Sequence, residues 1–162
     1  MALCANAVPT AQAAVCILLA ELSIMAADAE VLIIGNGRIG RVLAQELRAL
    51  GAKVCVASRN AVHTENTVPT GAYGENLNRY DAIVNTAPAL VFGAVEMEKT
   101  REHCFYLDLA SAPGGFDREA ARKMGRVVHW ELGLPGRYFP VSAGRIIQRT
   151  VQGVLAEKGV WE

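Results

Sequence analysis

A chain of 162 residues, 52% of them hydrophobic, is long enough for one domain with a real core and too short for a second full one. Sixteen basic residues cancel sixteen acidic ones, and no basic stripe or Lys/Arg cluster gathers, which argues against nucleic acid and anionic membrane as partners. Cys4, Cys16, Cys55 and Cys104 lack C-x-x-C spacing and suit reduced thiols in a cytoplasmic protein; with His63, His103 and His129 they make no ligand-spaced pair, so no metal site is expected.

The first expected element is a helix. Pro9-Thr10 reads as its start and leads into residues 11–27, with Val15, Leu18, Leu19 and Leu22 on one face. This gives a linker helix over about residues 10–27. The apolar run 13–20 and the small residues Ala26-Ala27-Asp28-Ala29 mimic an export leader. However, nothing before Arg38 is basic, Glu21 interrupts the run, and the run is too short to span a bilayer. A packed helix is therefore expected, and one so apolar predicts a homo-oligomer in which it is buried against a second copy.

Val31-Leu32-Ile33-Ile34 is continuously apolar rather than alternating, the pattern of a buried parallel strand. Gly35-Asn36-Gly37-Arg38-Ile39-Gly40 follows at once. In such a fingerprint the first glycine permits the tight turn, the second lets backbone approach a pyrophosphate, and the third lets the next helix pack close to the strand. The helix N-terminus then offers free N–H groups and a positive dipole end to the phosphates. Ile39, Val42, Leu43, Leu47 and Leu50 supply the helix's apolar face, and Gly51 is a fitting C′ residue. The order strand, glycine turn, helix makes residues 35–40 the candidate cofactor-binding loop.

The second strand, Val54-Cys55-Val56-Ala57, ends in Ser58-Arg59-Asn60, where an NAD site usually carries an acid for the ribose hydroxyls. No acid stands there. Ser58 can donate to a 2′-phosphate and Arg59 can pair with it, so NADP is expected over NAD, with Ser58, Arg59 and Asn60 as binding residues.

Residues 60–79 are polar and too few for a full helix plus strand. A short strand over 67–73 and one helical turn over 75–79 fit, before a fourth strand over 81–86. Further strands are expected at 105–109 and 127–130, and helices near 95–101 and 117–124. A last helix is expected from Ser142, as N-cap, toward Lys158. This alternation predicts an α/β fold, a doubly wound parallel sheet in a Rossmann-type three-layer αβα arrangement, with ligands at the carboxyl ends of the strands. Residues 1–162 then form a single dinucleotide-binding domain.

Three motifs follow strand ends: Asn85-Thr86-Ala87-Pro88-Ala89, Ala110-Ser111-Ala112-Pro113-Gly114-Gly115 and Gly133-Leu134-Pro135-Gly136. Thr86, Ala87 and Pro88 are placed to border the nicotinamide ribose, and Leu134 and Pro135 to cover the ring. Asn6, Asn85, Ser111 and Arg137 are the substrate candidates, Arg137 because a guanidinium can hold a carboxylate bidentately. No catalytic residue can be assigned, and His129 reads as a packed strand residue rather than a general acid.

Asn6-Ala7-Val8-Pro9-Thr10-Ala11, the glycine fingerprint, Asn85-Thr86-Ala87-Pro88-Ala89, Asp108-Leu109-Ala110-Ser111-Ala112-Pro113-Gly114-Gly115, Gly133-Leu134-Pro135-Gly136 and Ala143-Gly144 together resemble the C-terminal part of the dipicolinate synthase A-subunit family. The resemblance covers nearly the whole chain, and the fingerprint alone is shared with D-2-hydroxyacid, shikimate and alanine dehydrogenases. It implies NADP-dependent formation of pyridine-2,6-dicarboxylate from a cyclic product of lysine biosynthesis, a small cyclic dicarboxylate chemistry, together with a flavoprotein-like second subunit. Family members carry a further domain ahead of the Pro-Thr-Ala helix, so a cofactor-binding part without its catalytic domain is expected here. The short 60–79 connection departs from the family pattern at the adenine pocket. The alternatives are the same half of a D-2-hydroxyacid- or shikimate-type dehydrogenase, and a non-enzymatic NADP(H)-binding sensor or subunit.

Overall fold

A computed structural model of the chain describes residues 6–74 and 76–159; Cys4 and Glu75 lie outside them. The apolar runs become β1 (Glu30–Ile34), β2 (Lys53–Ser58), β3 (Thr67–Pro69), β4 (Ala82–Asn85), β5 (Phe105–Asp108) and β6 (Val128–Trp130). They form a six-stranded sheet in the order β3-β2-β1-β4-β5-β6, parallel throughout. The chain builds outward from β1 to β3, then returns to β4 on the other side of β1, so the sheet's switch point lies between β1 and β4. In register, Ile34 stands opposite Ala57 and Asn85, Asn85 opposite Asp108, and Asp108 opposite Trp130. The strand ends therefore line up in one row.

The strands read as unbroken apolar runs because both faces of the sheet are covered. Val31, Ile33, Val54, Val56, Ala82, Val84 and Leu107 face one layer of helices, α1 (Ala7–Glu21) and α2 (Arg38–Ala49). Leu32, Ile34, Cys55, Ala57, Ile83 and Tyr106 face the other, where α3 (Ala94–Glu98) and α4 (Arg118–Lys123) contribute Met97 and Ala121. Phe92 fills the centre of that second core, its ring 5.5 Å from Phe116 and 5.6 Å from Tyr73.

Ala7, Ala11, Ala14 and Leu18 form a buried stripe along α1, and these small side chains let it lie close against Leu43, Ala44 and Leu47 of α2. The helix begins earlier than the sequence suggests, because Pro9 falls in the first turn, where its missing N–H is no loss. It also ends earlier, at Leu22, whose backbone is extended; a separate 3-10 turn spans Ala26–Asp28. Leu19 faces solvent, while Ala13 and Ile17 take the burial expected of it. Because the face of α1 is covered within its own domain, it supplies no ground for expecting a second copy against it.

α2 closes as expected. Gly51 has φ +92°; its N–H reaches Arg48 O at 2.9 Å and that of Ala52 reaches Leu47 O at 3.0 Å, a Schellman closure. Leu50, read as part of the apolar face, is the exposed C-cap instead.

Three further expectations are corrected. The third strand stops at Pro69; the Thr70 N–H still reaches Ser58 O at 3.0 Å, after which the chain turns at Gly71, φ +86°, and Tyr73 enters the core. Leu134 and Pro135, expected to cover a ring from the motif after the sixth strand, instead open α5 (Leu134–Tyr138). The last helix, α6 (Pro140–Glu157), starts with proline at its first position, so Ser142 sits inside the first turn rather than at the cap. Asp117, by contrast, caps α4, its carboxyl accepting the Ala120 N–H at 2.9 Å.

At the amino end of the sheet, Glu30 pairs with Arg79 and, at 3.4 Å, with Lys53. The hydrogen bond and charge of Arg79 hold the Glu30 carboxyl below its usual range, against a smaller opposing effect of burial. No described helix is long and apolar enough to cross a membrane.

Candidate cofactor site

The turn after β1 is built by contact as much as by conformation. Gly35 has φ +108°, its N–H donates to Ala57 O at 2.8 Å, and a Cβ there would run into Thr86 Oγ1. A Cβ on Gly40 would run into the Gly35 carbonyl oxygen, so the third glycine is what brings α2 against the turn. Gly37 differs from both: nothing lies within 4 Å of where its Cβ would be. Open space at the second glycine and crowding at the first and third match the needs of a pyrophosphate site.

That open space belongs to a cleft of about 500 Å³ lined by Asn6, Ala7 and Thr10 from α1, Gly37, Arg38 and Ile39 at the start of α2, and Thr86 after β4. Both helices present their N-termini to it, and the first-turn N–H groups of a helix have no partners within the helix. Thr10 turns inward locally, its hydroxyl donating to Asn6 O at 2.6 Å. Thr86 donates its hydroxyl to Ile34 O at 3.0 Å, fastening the β4 end to the β1 end beneath the cleft.

On the β2 side, Ser58 is half-buried and Arg59 and Asn60 are exposed. The Ser58 carbonyl accepts from Thr70 N at 3.0 Å and from Ala61 N at 3.2 Å, which fixes the turn that carries Arg59. The turn that carries Arg59 thus follows the carboxyl end of β2, the same end of the sheet as the glycine turn after β1.

On the other side of β1 lies a buried polar node that sequence reasoning did not find. Asp108 Oδ1 accepts from Asn85 Nδ2 at 2.8 Å and from Ala110 N at 3.1 Å; its Oδ2 accepts from Gly115 N at 2.7 Å. Asn85 Nδ2 also donates to Ala87 O at 2.9 Å, while its Oδ1 accepts from Ala87 N at 3.1 Å. Both side chains are essentially inaccessible, at 0% for Asn85 and 1% for Asp108. The available signal was Asp108 and the Gly114-Gly115 pair in one motif: a Cβ at Gly114 would come within 2.7 Å of Asp108 Oδ2, and one at Gly115 would run into Asn85.

The structure therefore takes Asn85 out of the substrate set, since its amide is buried and fully engaged. Leu134 is likewise not free to cover a ring: it is 1% exposed, packed in the core beneath α1. Pro135 stands half-buried on α5, and Pro88 is exposed beyond Thr86. Ala87 has both backbone groups tied to Asn85. Ser111 is exposed after β5, its carbonyl taking the Gly114 N–H at 2.9 Å. Arg137 is exposed and ion-paired with Glu131, which offsets the charge that recommended it. His129 stacks on Phe105 with ring centres 4.5 Å apart. No group of described His, Cys, Asp or Glu side chains could hold a metal ion.

A sequence profile for the D-isomer specific 2-hydroxyacid dehydrogenase NAD binding domain matches residues 19–105. The dipicolinate synthase A-subunit of Bacillus subtilis (strain 168) is 31% identical over 159 residues, covering 94% of this chain and 54% of that protein. The crystal structure of the dipicolinate synthase A-subunit from Bacillus halodurans superposes with a TM-score of 0.86 at 32% identity, over 94% of this chain and 55% of that one. The crystal structure of its Bacillus subtilis counterpart gives 0.89 at 28% identity, over 96% and 55%. The chain spans about half the length of the relatives it matches.

Proposed function

The chain belongs to the family of D-isomer specific 2-hydroxyacid dehydrogenase NAD-binding domains, and from that premise we propose that it is the cofactor-binding part of an NADP-dependent oxidoreductase resembling the dipicolinate synthase A-subunit. The observation that carries the reading is the unequal setting of the three glycines, crowded at Gly35 and Gly40 and open to the cleft at Gly37. A pyrophosphate laid across Gly37 meets the N-terminus of α2 with no Cβ in its way at that residue.

NADP rather than NAD rests on the β2 end. Ser58 donates to the 2′-phosphate and Arg59 pairs with it, and no acid is present there to repel it. Thr86 and Pro88 border the nicotinamide ribose. The nicotinamide, when bound, supplies or accepts the hydride; the residues of this chain bind and orient it. Asn6, Ser111 and Arg137 remain the substrate-side candidates, Arg137 on condition that a carboxylate displaces Glu131.

The proposed whole reaction is formation of pyridine-2,6-dicarboxylate from a cyclic dicarboxylate precursor, in the cytoplasm and alongside a flavoprotein-like second subunit. A second reading, the NAD-linked half of a D-2-hydroxyacid-type dehydrogenase, is favoured by the matched profile, which is that of an NAD binding domain. Calorimetric titration with NADPH and, separately, NADH tests both. NADPH binding about tenfold or more tighter, the equivalent of one charge-assisted hydrogen bond, is expected. Preference for NADH replaces the first reading with the second, and binding of neither overturns both.

A further inference from the structure

Asn85 and Asp108 take no part in the phosphate site, and we propose that they are positioning residues, a buried pair that holds the nicotinamide side of the cleft in shape; the inference rests on the reading of the chain as a nicotinamide-cofactor domain. The two stand opposite each other in the β4–β5 ladder, the last residue of each strand, where the backbone leaves the sheet for the cleft.

Stability does not ask for a carboxyl at this place. Burying one costs desolvation that an apolar pair of similar size avoids. What the pair supplies is connection. Asn85 grips the N–H and the C=O of Ala87, the residue after Thr86. Asp108 grips the N–H groups of Ala110 and Gly115. The Gly115 carbonyl in turn accepts from Val91 N at 2.9 Å and Phe92 N at 3.0 Å. The segment that leaves β4 and the segment that leaves β5 are thereby tied into one piece, centred on a side-chain bond of 2.8 Å.

The placement of this piece assigns its role. In a doubly wound sheet the turn after β1 takes the pyrophosphate and the β2 side takes the adenosine ribose, which leaves the β4 and β5 side for the nicotinamide. Gly114 and Gly115 complete the device, because side chains there would meet Asp108 and Asn85.

The test compares two ligands on the full chain: NADPH, and 2′-phospho-ADP-ribose, which keeps the adenosine and pyrophosphate but lacks nicotinamide. Asp108→Asn preserves shape while turning one acceptor into a donor that faces an N–H. It is expected to leave 2′-phospho-ADP-ribose binding within about twofold of wild type and to weaken NADPH about tenfold, as for a lost hydrogen bond with one group left unpaired. Asn85→Ser, which frees Ala87 but leaves the Asp108 bonds to Ala110 and Gly115, is read in the same way should Asp108→Asn not fold. Equal weakening of both ligands, no change in either, or failure of both variants to fold assigns the pair to the core alone and overturns the proposal. A wild-type chain that binds both ligands equally overturns it too; a chain that prefers NADH is compared in the same way with NADH and ADP-ribose, and one that binds none of the four overturns the underlying reading as well.

Discussion

Gly35 and Thr86 face each other across the gap between β1 and β4 with no room for a methyl group between the Gly35 α-carbon and the Thr86 hydroxyl, and that hydroxyl is itself tied to the Ile34 carbonyl. Gly40 is as tightly opposed by the Gly35 carbonyl, whereas Gly37 is opposed by nothing. The three glycines should therefore separate stability from binding. Gly35→Ala and Gly40→Ala are expected to lose about 2–4 kcal/mol from overpacking, with left-handed strain added at Gly35, and to melt at least about 5 °C lower. Gly37→Ala should cost no more than about 1 kcal/mol as a poorer cap, yet bind NADPH more than about tenfold more weakly. Thermal melts beside titrations check this, and a Gly37→Ala variant that binds normally would remove the pyrophosphate from this turn.

Arg59 is exposed on a turn fixed by the Ser58 carbonyl, so its replacement should alter charge without altering fold. Arg59→Glu is expected to weaken NADPH by about tenfold to a hundredfold and to leave NADH unchanged or improved. Titration of both cofactors against the variant decides it; an unchanged ratio would mean that Arg59 is merely a solvated cation.

The Glu30 carboxyl, at the sheet edge opposite the cleft, titrates lower in the folded chain because of Arg79. The unfolded chain therefore takes up this proton first as pH falls. The stabilisation is complete above the unfolded-state value near 4.5 and is lost as pH drops through the lower folded value. With the Arg79 side chain about half exposed, the effect should stay under about 1 kcal/mol. Urea midpoints between pH 7 and pH 3 should fall less steeply in Arg79→Met than in the wild type; identical slopes would refute the pairing.

Cys16 is exposed, whereas Cys55 and Cys104 are buried, and burial pushes the Cys104 thiol up to about 12. Since the thiolate is the reactive form, iodoacetamide at pH 8 should label Cys16 in the native chain and reach Cys104 only after denaturant is added. Peptide mass mapping reads this out. Labelling of Cys104 at the rate of Cys16 would show that the approach to β5 opens readily.

The unit from β1 to β2 was legible in the sequence because each part carries its own local signal: an unbroken apolar run, a glycine spacing, a helical period, a terminal glycine. The failures share the opposite property. Asn85 reads as a ligand-binding amide until β4 and β5 are paired, and only their register sets it against Asp108. Leu134, between a glycine and a proline after a strand end, reads as a residue free to cover the nicotinamide ring, and its burial depends on α1 packing from over a hundred positions earlier in the chain. Local chemistry was a sound guide where structure is local, and misled where a distant strand or helix supplied the deciding neighbour.

The alanine stripe of α1 carries a consequence for ligand fit. The near wall of the cleft, Gly37 to Ile39, belongs to α2, and the far wall, Asn6 to Thr10, to α1. The distance between the walls is thus gauged by how closely the two helices lie, and therefore by the size of Ala11 and Ala14, which touch no ligand. A larger residue at either position would shim the helices apart and widen the mouth of the site from within the core, so the breadth of the cleft is a dimension written in methyl groups.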